Sequence, residues 1–158
     1  MATRVADGLE QAASDKALVQ PIVRTFFKMA AVWELGEQEQ CRLLGGISRR
    51  TLYAWRSNPP SSVTPDVMRR LSYLVGIHGL LRQLFPDTPL KQMATRVRQV
   101  PPTALTDGRP LLEYILEGGL VAMYEVRSYL VSEAGSELVA PHDDQSLAMR
   151  SGPTATSR

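Results

Sequence analysis

Arginine and aromatic side chains are concentrated behind a pair of glycines in the middle of the chain. The stretch GGISRRTLYAWRS, residues 45–57, holds three arginines, a tyrosine and a tryptophan. Arginine pairs with phosphate and can donate two parallel hydrogen bonds to one guanine edge, so these residue types indicate DNA binding. The candidate DNA-binding residues are Ser48, Arg49, Arg50, Tyr53 and Arg56.

A helical wheel separates the two sides of this stretch. At 100° per residue, Leu52 and Trp55 fall on one face with Ser48 and Thr51, which is predicted to point inward. Arg49, Arg50 and Tyr53 point the opposite way and Arg56 lies at the flank, on a face that carries no acid. We therefore expect Arg49, Arg50 and Tyr53 to contact bases or nearby phosphates, and Arg56 to contact the DNA backbone.

The elements around the stretch predict a helix-turn-helix. EQEQCRLLGG reads as a short helix with acids in its first turn and Gly45 just past its end. Ser48 is a good N-cap for the next helix, which Pro59 and Pro60 end near Asn58. In such a unit the second helix enters the DNA major groove.

Charge is unevenly distributed along the 158 residues, whose formal net charge is +2. Residues 42–82 contain seven arginines and one acid, Asp66, whereas residues 101–158 contain eight acids and four arginines. A polyanion is attracted to the middle of the chain and repelled by its end.

The remaining periodicity is helical, and no segment alternates as a strand does. A helix is predicted from Leu18 to a stop at Gly36. A longer one has Thr64 as N-cap and Pro65 at its first position, and runs to Phe85. Its wide apolar surface predicts a place in the core or in a dimer interface. The small residues Ser72, Gly76 and Gly79 form a strip where another backbone could approach closely.

The second half contains a short helix over residues 90–99, a proline-rich loop, and two helices separated by Gly118 and Gly119. We predict an all-α fold, a helix-turn-helix bundle followed by a small C-terminal helical domain with flexible termini. The predicted divisions are a disordered segment 1–16, a helix-turn-helix domain 17–85, a C-terminal domain 86–134 and a mobile tail 135–158.

Few residues here are suited to catalysis. The two histidines, His78 and His142, are far apart in sequence, and His78 is interpreted as a core residue. Cys41 has no partner at zinc spacing, and the glycine pairs lack the lysine and serine of a phosphate loop. We expect no enzyme activity, no cofactor, no metal and no small-molecule substrate. Without a signal peptide or an apolar run of spanning length, a cytoplasmic protein is expected.

Two stretches resemble one family. LLGGISRRTLYAWRS resembles the Xre-type helix-turn-helix of Xre/MbcA/ParS-type antitoxins, and GRPLLEYILEGGLVAMYEVRSYL is similar to their C-terminal toxin-binding domain. The second motif is the more specific, because helix-turn-helix units occur in many unrelated regulators. Its matching positions are Gly108, Arg109, Pro110, Leu111, Glu117, Gly118, Gly119, Leu120, Val126, Arg127, Tyr129 and Leu130.

The resemblance implies a homodimeric antitoxin that neutralises a RES-domain, NAD-consuming toxin and represses its own operon. Tyrosine and arginine are frequent at binding hot spots. On this ground Tyr114 and Tyr124, which lie outside the matching positions, are added to the candidate toxin-binding residues. The candidate toxin-binding residues are Arg109, Tyr114, Glu117, Gly118, Gly119, Tyr124, Arg127 and Tyr129. The alternatives are a free-standing repressor without a toxin, and an interaction module that no longer binds DNA. The tail 135–158 matches nothing in the family.

Overall fold

The computed structural model describes residues 2–99 and 104–139, and within these ranges the chain is helical with no strand. The predicted all-α fold is confirmed. The helices are α1 (Ala2–Ser14), α2 (Lys16–Val32), α3 (Glu37–Leu43), α4 (Arg49–Ser57), α5 (Pro65–Leu84), α6 (Leu90–Gln99) and α7 (Leu111–Val139), with a 3-10 turn at Ala104–Thr106.

Helix α5 lies at the centre of the fold and packs against α1, α2 and α7. It begins as predicted: the Thr64 hydroxyl accepts a hydrogen bond from the Val67 amide over 3.2 Å, and Pro65 occupies the first turn. Leu71, Leu74 and Ile77 are completely buried. The wide apolar surface predicted for this helix is thus filled largely by other helices of the same chain.

The small residues of α5 are only partly available to another backbone. A Cβ atom built on Gly76 would lie 3.4 Å from Nε of Arg127 in α7, so this position already faces a neighbouring side chain. Gly79 is exposed, and a Cβ atom there meets nothing within 4 Å. Ser72, at the other end of the strip, is exposed too, and the close approach of a second subunit remains a prediction.

The N-terminal segment was predicted wrongly. Residues 2–14 form α1, which packs on α5, and Ala13 is buried with 1% exposure. The Val63 amide donates to the Ala13 carbonyl over 2.9 Å, so the loop before α5 also fixes this helix. Leu9, Ala12 and Ala13 are the described residues of α1 that pack on the core, too few apolar positions to give a clear helical period in the sequence.

Helix α7 is interrupted at Gly119, as the glycine pair predicts. Gly119 has φ 63° and ψ −140°, a conformation open to glycine and strained for any residue with a Cβ atom. The helix continues to Val139, beyond the predicted end near Glu133, so residues 135–139 are helical and do not belong to a mobile tail. The rest of the predicted tail, 140–158, lies outside the described residues, as does the start of the proline-rich loop.

Substitution of Gly119 by alanine is expected to destabilise the fold by about 1–3 kcal/mol, because nothing crowds the site and the backbone conformation alone carries the strain. Gly135→Ala, at an uncrowded helical position of α7, is the matched control and should stabilise by up to about 1 kcal/mol. Urea denaturation of both variants measures the difference. Equal effects of the two substitutions would contradict the assigned role of Gly119.

One hydrophobic cluster is shared by the two predicted domains. It includes Trp33 and Leu71 from the first unit and Met93 and Met123 from the second. The division at residue 86 remains a prediction, since the described helices give the two units a common core.

No helix in the described part of the chain is both long and apolar enough to cross a membrane.

His78 is half-buried on α5, and its ring is hydrogen-bonded within the protein. Nε1 of the buried Trp33 donates to Nδ1 of His78 over 3.0 Å, so the imidazole is the acceptor and its proton lies on Nε2. Burial, followed by the charge of Arg82, lowers the pKa of His78 below its ordinary value of 6.5. The folded protein therefore holds this side chain neutral.

Replacing His78 by leucine is expected to destabilise the fold by about 1–3 kcal/mol, because it leaves the Trp33 N–H buried without an acceptor. His78→Gln, which offers an amide oxygen, is the conservative control.

In the parent, the unfolded chain takes up a proton near pH 6.5 and the folded chain does so only at lower pH, so stability should fall as pH drops below about 6.5. Urea titrations across pH 5–8 should show a weaker pH dependence of the unfolding free energy in His78→Gln than in the parent. An equal pH dependence in the two proteins would contradict the role assigned to His78.

Candidate functional site

The predicted helix-turn-helix is formed by α3, a turn over residues 44–48, and α4. Gly45 and Gly46 have φ 89° and 85°, which glycine adopts readily. A Cβ atom on Gly45 would lie 3.1 Å from Oδ2 of Asp66, so the turn also packs closely against the start of α5. Leu52 anchors α4 in the core with 0% exposure, whereas Trp55 is only half-buried.

The first turn of α4 carries its cap and the two exposed arginines. The Ser48 hydroxyl accepts a hydrogen bond from the Thr51 amide over 3.1 Å and donates to the Thr51 hydroxyl over 3.0 Å. Ser48 is exposed, although the helical wheel places it on the inward face, and its hydroxyl is occupied with capping the helix. Arg49 and Arg50 are exposed and form no ion pair within the described residues, so both guanidinium groups face solvent.

Arg56 is held by contacts from three helices. Its guanidinium carbon lies 5.6 Å from the ring centroid of Phe27 in α2 and 5.6 Å from that of Tyr53. Nη2 donates to Oε1 of the buried Gln40 in α3 over 3.4 Å. The predicted contact of Arg56 with the DNA backbone has to compete with these contacts, which fix the position of α4.

Glu37 was missed as a member of this surface. The neighbouring Glu37 side chain is the main cause that raises the pKa of Tyr53. Tyr53 is 45% exposed, so the hydroxyl that Glu37 influences is at the surface. The prediction of an acid-free face considered α4 alone, whereas the Glu37 carboxylate of α3 is close enough to Tyr53 to shift its pKa. The only sequence signal was an acid in the first turn of α3, which is also explained by the helix dipole.

Arg98 of α6 fastens α3 to the end of α2. Its Nη2 donates to Oε1 of Glu39 over 2.6 Å and to the Glu34 carbonyl over 2.6 Å, and its Nε donates to the Trp33 carbonyl over 3.1 Å. Burial alone would raise the pKa of Glu39, but the bond and charge of Arg98 and the Gly36 amide bring it below its ordinary value. The predicted C-terminal unit thus helps to hold the helix-turn-helix in place.

The candidate toxin-binding residues lie partly in one groove beside the break in α7. Arg109 stands over the Tyr114 ring at 5.1 Å and pairs with Glu117, while the Tyr114 hydroxyl donates to Glu125. The groove has a volume of about 400 Å³. Its lining consists of Arg109, Tyr114, Glu117 and Gly118, which were predicted, and of Val121, Ala122 and Glu125, which were not.

Tyr124 and Arg127 both lie beside Tyr73 of α5. The Tyr124 ring contacts Tyr73 edge to face with centroids 6.1 Å apart, and the Arg127 guanidinium lies 6.0 Å from the Tyr73 ring. Tyr129 is half-buried against the core cluster, which makes it less accessible than Tyr124. Tyr73 was missed because it belongs to α5, far from the motif in sequence.

Exposed apolar side chains are concentrated on α7. Val121 is 67% exposed, Tyr124 56% and Val131 47%, and these are three of the six large hydrophobic residues that are exposed in the described part of the chain. Their spacing places them along one side of the helix after its break. Such a stripe is typical of a surface that binds a protein partner.

The described residues contain no group of three or more His, Cys, Asp or Glu side chains that could hold a metal ion. Cys41 is a half-buried free thiol in α3. The expectation of a non-enzymatic protein without a cofactor remains a prediction. The arrangement of the described side chains is suited to binding at two surfaces, the outer side of α4 and the groove and stripe of α7.

Comparison with known proteins finds a relative that is matched over most of both chains. The uncharacterized protein y4oB of Sinorhizobium fredii is 33% identical to this chain over 122 residues, which cover 77% of this chain and 91% of y4oB. No protein-family profile matches the chain, and no solved structure matches it.

Proposed function

This chain belongs to the same family as the uncharacterized protein y4oB of Sinorhizobium fredii, and we propose that it is a DNA-binding antitoxin of the cytoplasm. In this proposal α4 binds operator DNA and represses transcription of the operon. The groove and the apolar stripe of α7 bind a RES-domain toxin that consumes NAD and block its activity. The protein acts as a homodimer and needs no cofactor.

The observation that carries the DNA-binding part is the pair Arg49 and Arg50 at the exposed start of a capped helix behind a tight glycine turn. In a helix-turn-helix the residues at this end of the second helix reach base edges and phosphates. Both guanidinium groups face solvent, and Leu52 fixes the helix from the opposite side. The excess of arginine over residues 42–82 supplies the long-range attraction to a polyanion.

The toxin-binding part is supported by the apolar stripe of α7 and by the acidic balance of residues 101–158. An acidic segment repels DNA, so this part of the chain suits a protein partner. Aromatic and aliphatic side chains that are exposed in the free protein become buried in such an interface.

Copurification with the product of the neighbouring gene tests the two parts separately. The chain is coexpressed with that product and the complex is purified through a tag on the toxin. The complex and the separately purified chain are then each tested for binding to operator DNA. A complex that binds DNA supports both parts. Operator binding without a complex would leave a free-standing repressor, and a complex without DNA binding would leave an interaction module.

A further inference from the structure

Arg70 and Asp66 of α5 form an ion pair that lies against the turn leading into α4. Nε of Arg70 donates to Oδ2 of Asp66 over 2.9 Å, across one turn of the helix. A Cβ atom built on Gly45 would lie 3.1 Å from this Asp66 oxygen and 3.2 Å from Nε of Arg70. Glycine at this position therefore lets the turn rest directly on the pair.

The other nitrogens of the Arg70 guanidinium are free and accessible. Within the described residues, Arg70 makes no hydrogen bond besides the one to Asp66. In the same part of the chain, Nε of Arg96 is the one buried side-chain nitrogen without a partner, so the unbonded Nη1 and Nη2 of Arg70 are not buried. The Arg70 side chain as a whole is only 17% exposed. Its stem is thus buried while its two Nη groups reach solvent.

A guanidinium held in this way is prepared to bind a phosphate. The bond from Nε to Asp66 fixes the plane of the guanidinium, and the buried stem has few other conformations. Little conformational freedom is then lost on binding. Nη1 and Nη2 can donate two parallel hydrogen bonds to two oxygens of one phosphate, which is the strong geometry for this pair of groups.

The turn places Arg70 near the proposed DNA-binding residues. Gly45 precedes Arg49 by four residues, a stretch of chain that spans at most about 14 Å. Gly45 and Gly46 are exposed, so the turn between α3 and α4 is open to solvent. Because duplex DNA carries one phosphate charge per ~1.7 Å of its axis, a duplex that lies along the start of α4 has phosphates within reach of Arg70.

We propose that Arg70 binds a phosphate of the operator and so anchors the DNA backbone beside α4. This inference rests on the proposed DNA binding by α4. It gives α5 a part in the DNA interface that the sequence did not indicate, because Arg70 belongs to the helix that follows the helix-turn-helix. A phosphate contact adds affinity for every duplex and carries no preference between sequences.

Arg70→Gln tests this assignment in the full chain. Affinity is measured by fluorescence anisotropy across a salt series, for a duplex selected from a random pool and for a duplex of unrelated sequence. Loss of one phosphate contact should reduce the slope of log K against log salt by about one for both duplexes. Affinity at ~0.1 M salt should fall by about three- to tenfold for both, so the ratio of the two affinities should stay that of the parent.

Three further variants control for charge and folding. Arg70→Lys keeps a cation at this position and should retain the salt slope. Arg70→Met fills the space of the buried stem without a charge and should lose slope as Arg70→Gln does. Arg82→Gln removes an exposed arginine about 18 Å further along the same helix and should keep the slope of the parent. Urea denaturation checks that each variant is folded.

Methylphosphonate substitution locates the phosphate itself. The phosphates of the selected duplex are replaced one at a time by a neutral methylphosphonate. At one position the parent should lose about three- to tenfold in affinity. Arg70→Gln should lose nothing there, because its contact is already gone, and should lose as much as the parent at the other contacted phosphates.

The outcomes separate this inference from the proposed function. If the parent binds neither duplex, the proposed DNA binding fails and this inference fails with it. If the parent binds DNA but folded Arg70→Gln and Arg70→Met keep its salt slope, only the inference is overturned. It is equally overturned if every methylphosphonate weakens binding of Arg70→Gln as much as binding of the parent.

Discussion

Replacing Arg49 and Arg50 together by alanine should lower affinity for operator DNA by about 100-fold or more. The two guanidinium groups are exposed at the start of α4, where contacts with guanine or phosphate are worth about 1–3 kcal/mol each. Anisotropy titrations across a salt series measure the effect. A residue that contacts phosphate should reduce the slope of log K against log salt by about one, whereas a residue that contacts a base should reduce discrimination between sites.

The matched control removes two positive charges elsewhere. Lys16 in α2 and Lys91 in α6 are both exposed, and their joint replacement by alanine should change affinity by less than about threefold. Affinity and salt slope that stay unchanged in the Arg49→Ala, Arg50→Ala variant would exclude α4 as the DNA-binding helix.

The second large effect is expected at the stripe of α7. Replacing Val121 and Tyr124 together by alanine should weaken the complex with the toxin by about 30-fold or more, because a tyrosine at the centre of an interface is a frequent hot spot and Val121 adds exposed apolar area beside it. Both side chains are more than half exposed, so the fold should persist. Isothermal titration calorimetry with purified toxin measures the loss.

Leu18 and Leu90 provide the control for the stripe. They are 50% and 48% exposed on α2 and α6, so their replacement by alanine removes a similar amount of exposed apolar surface. The affinity for toxin should stay within about threefold of the parent. An equal loss in both variants would mean that the toxin does not recognise α7 in particular.

Local signals predicted most helix boundaries of the described residues. Ser48 and Thr64 cap α4 and α5 through their own side chains, and Gly119 breaks α7 with a backbone conformation that glycine favours. Each of these effects acts within a few residues, so the sequence pattern contains it. Helix α1 was not predicted because it packs on α5, which is distant in sequence, through only a few apolar residues such as Leu9 and Ala13.

The candidate sites were predicted only as far as single helices define them. Arg49, Arg50 and Tyr53 could be placed from helical periodicity, but Glu37, which raises the pKa of Tyr53, comes from another helix. The Arg98 bond to Glu39 joins residues 59 positions apart, a pairing that no local pattern contains. Arg56 was predicted to contact the DNA backbone, and the sequence did not indicate that Phe27 and Gln40 of neighbouring helices contact its guanidinium group.

Coexpression tests the proposed antitoxin function most directly. Cells expressing the RES-domain product of the neighbouring gene should stop growing and lose NAD, and expression of this chain should restore both growth and NAD. The Val121→Ala, Tyr124→Ala variant should restore them poorly, whereas the Arg49→Ala, Arg50→Ala variant should restore them as well as the parent. Continued growth arrest and NAD loss in the presence of the folded parent chain would contradict the proposal.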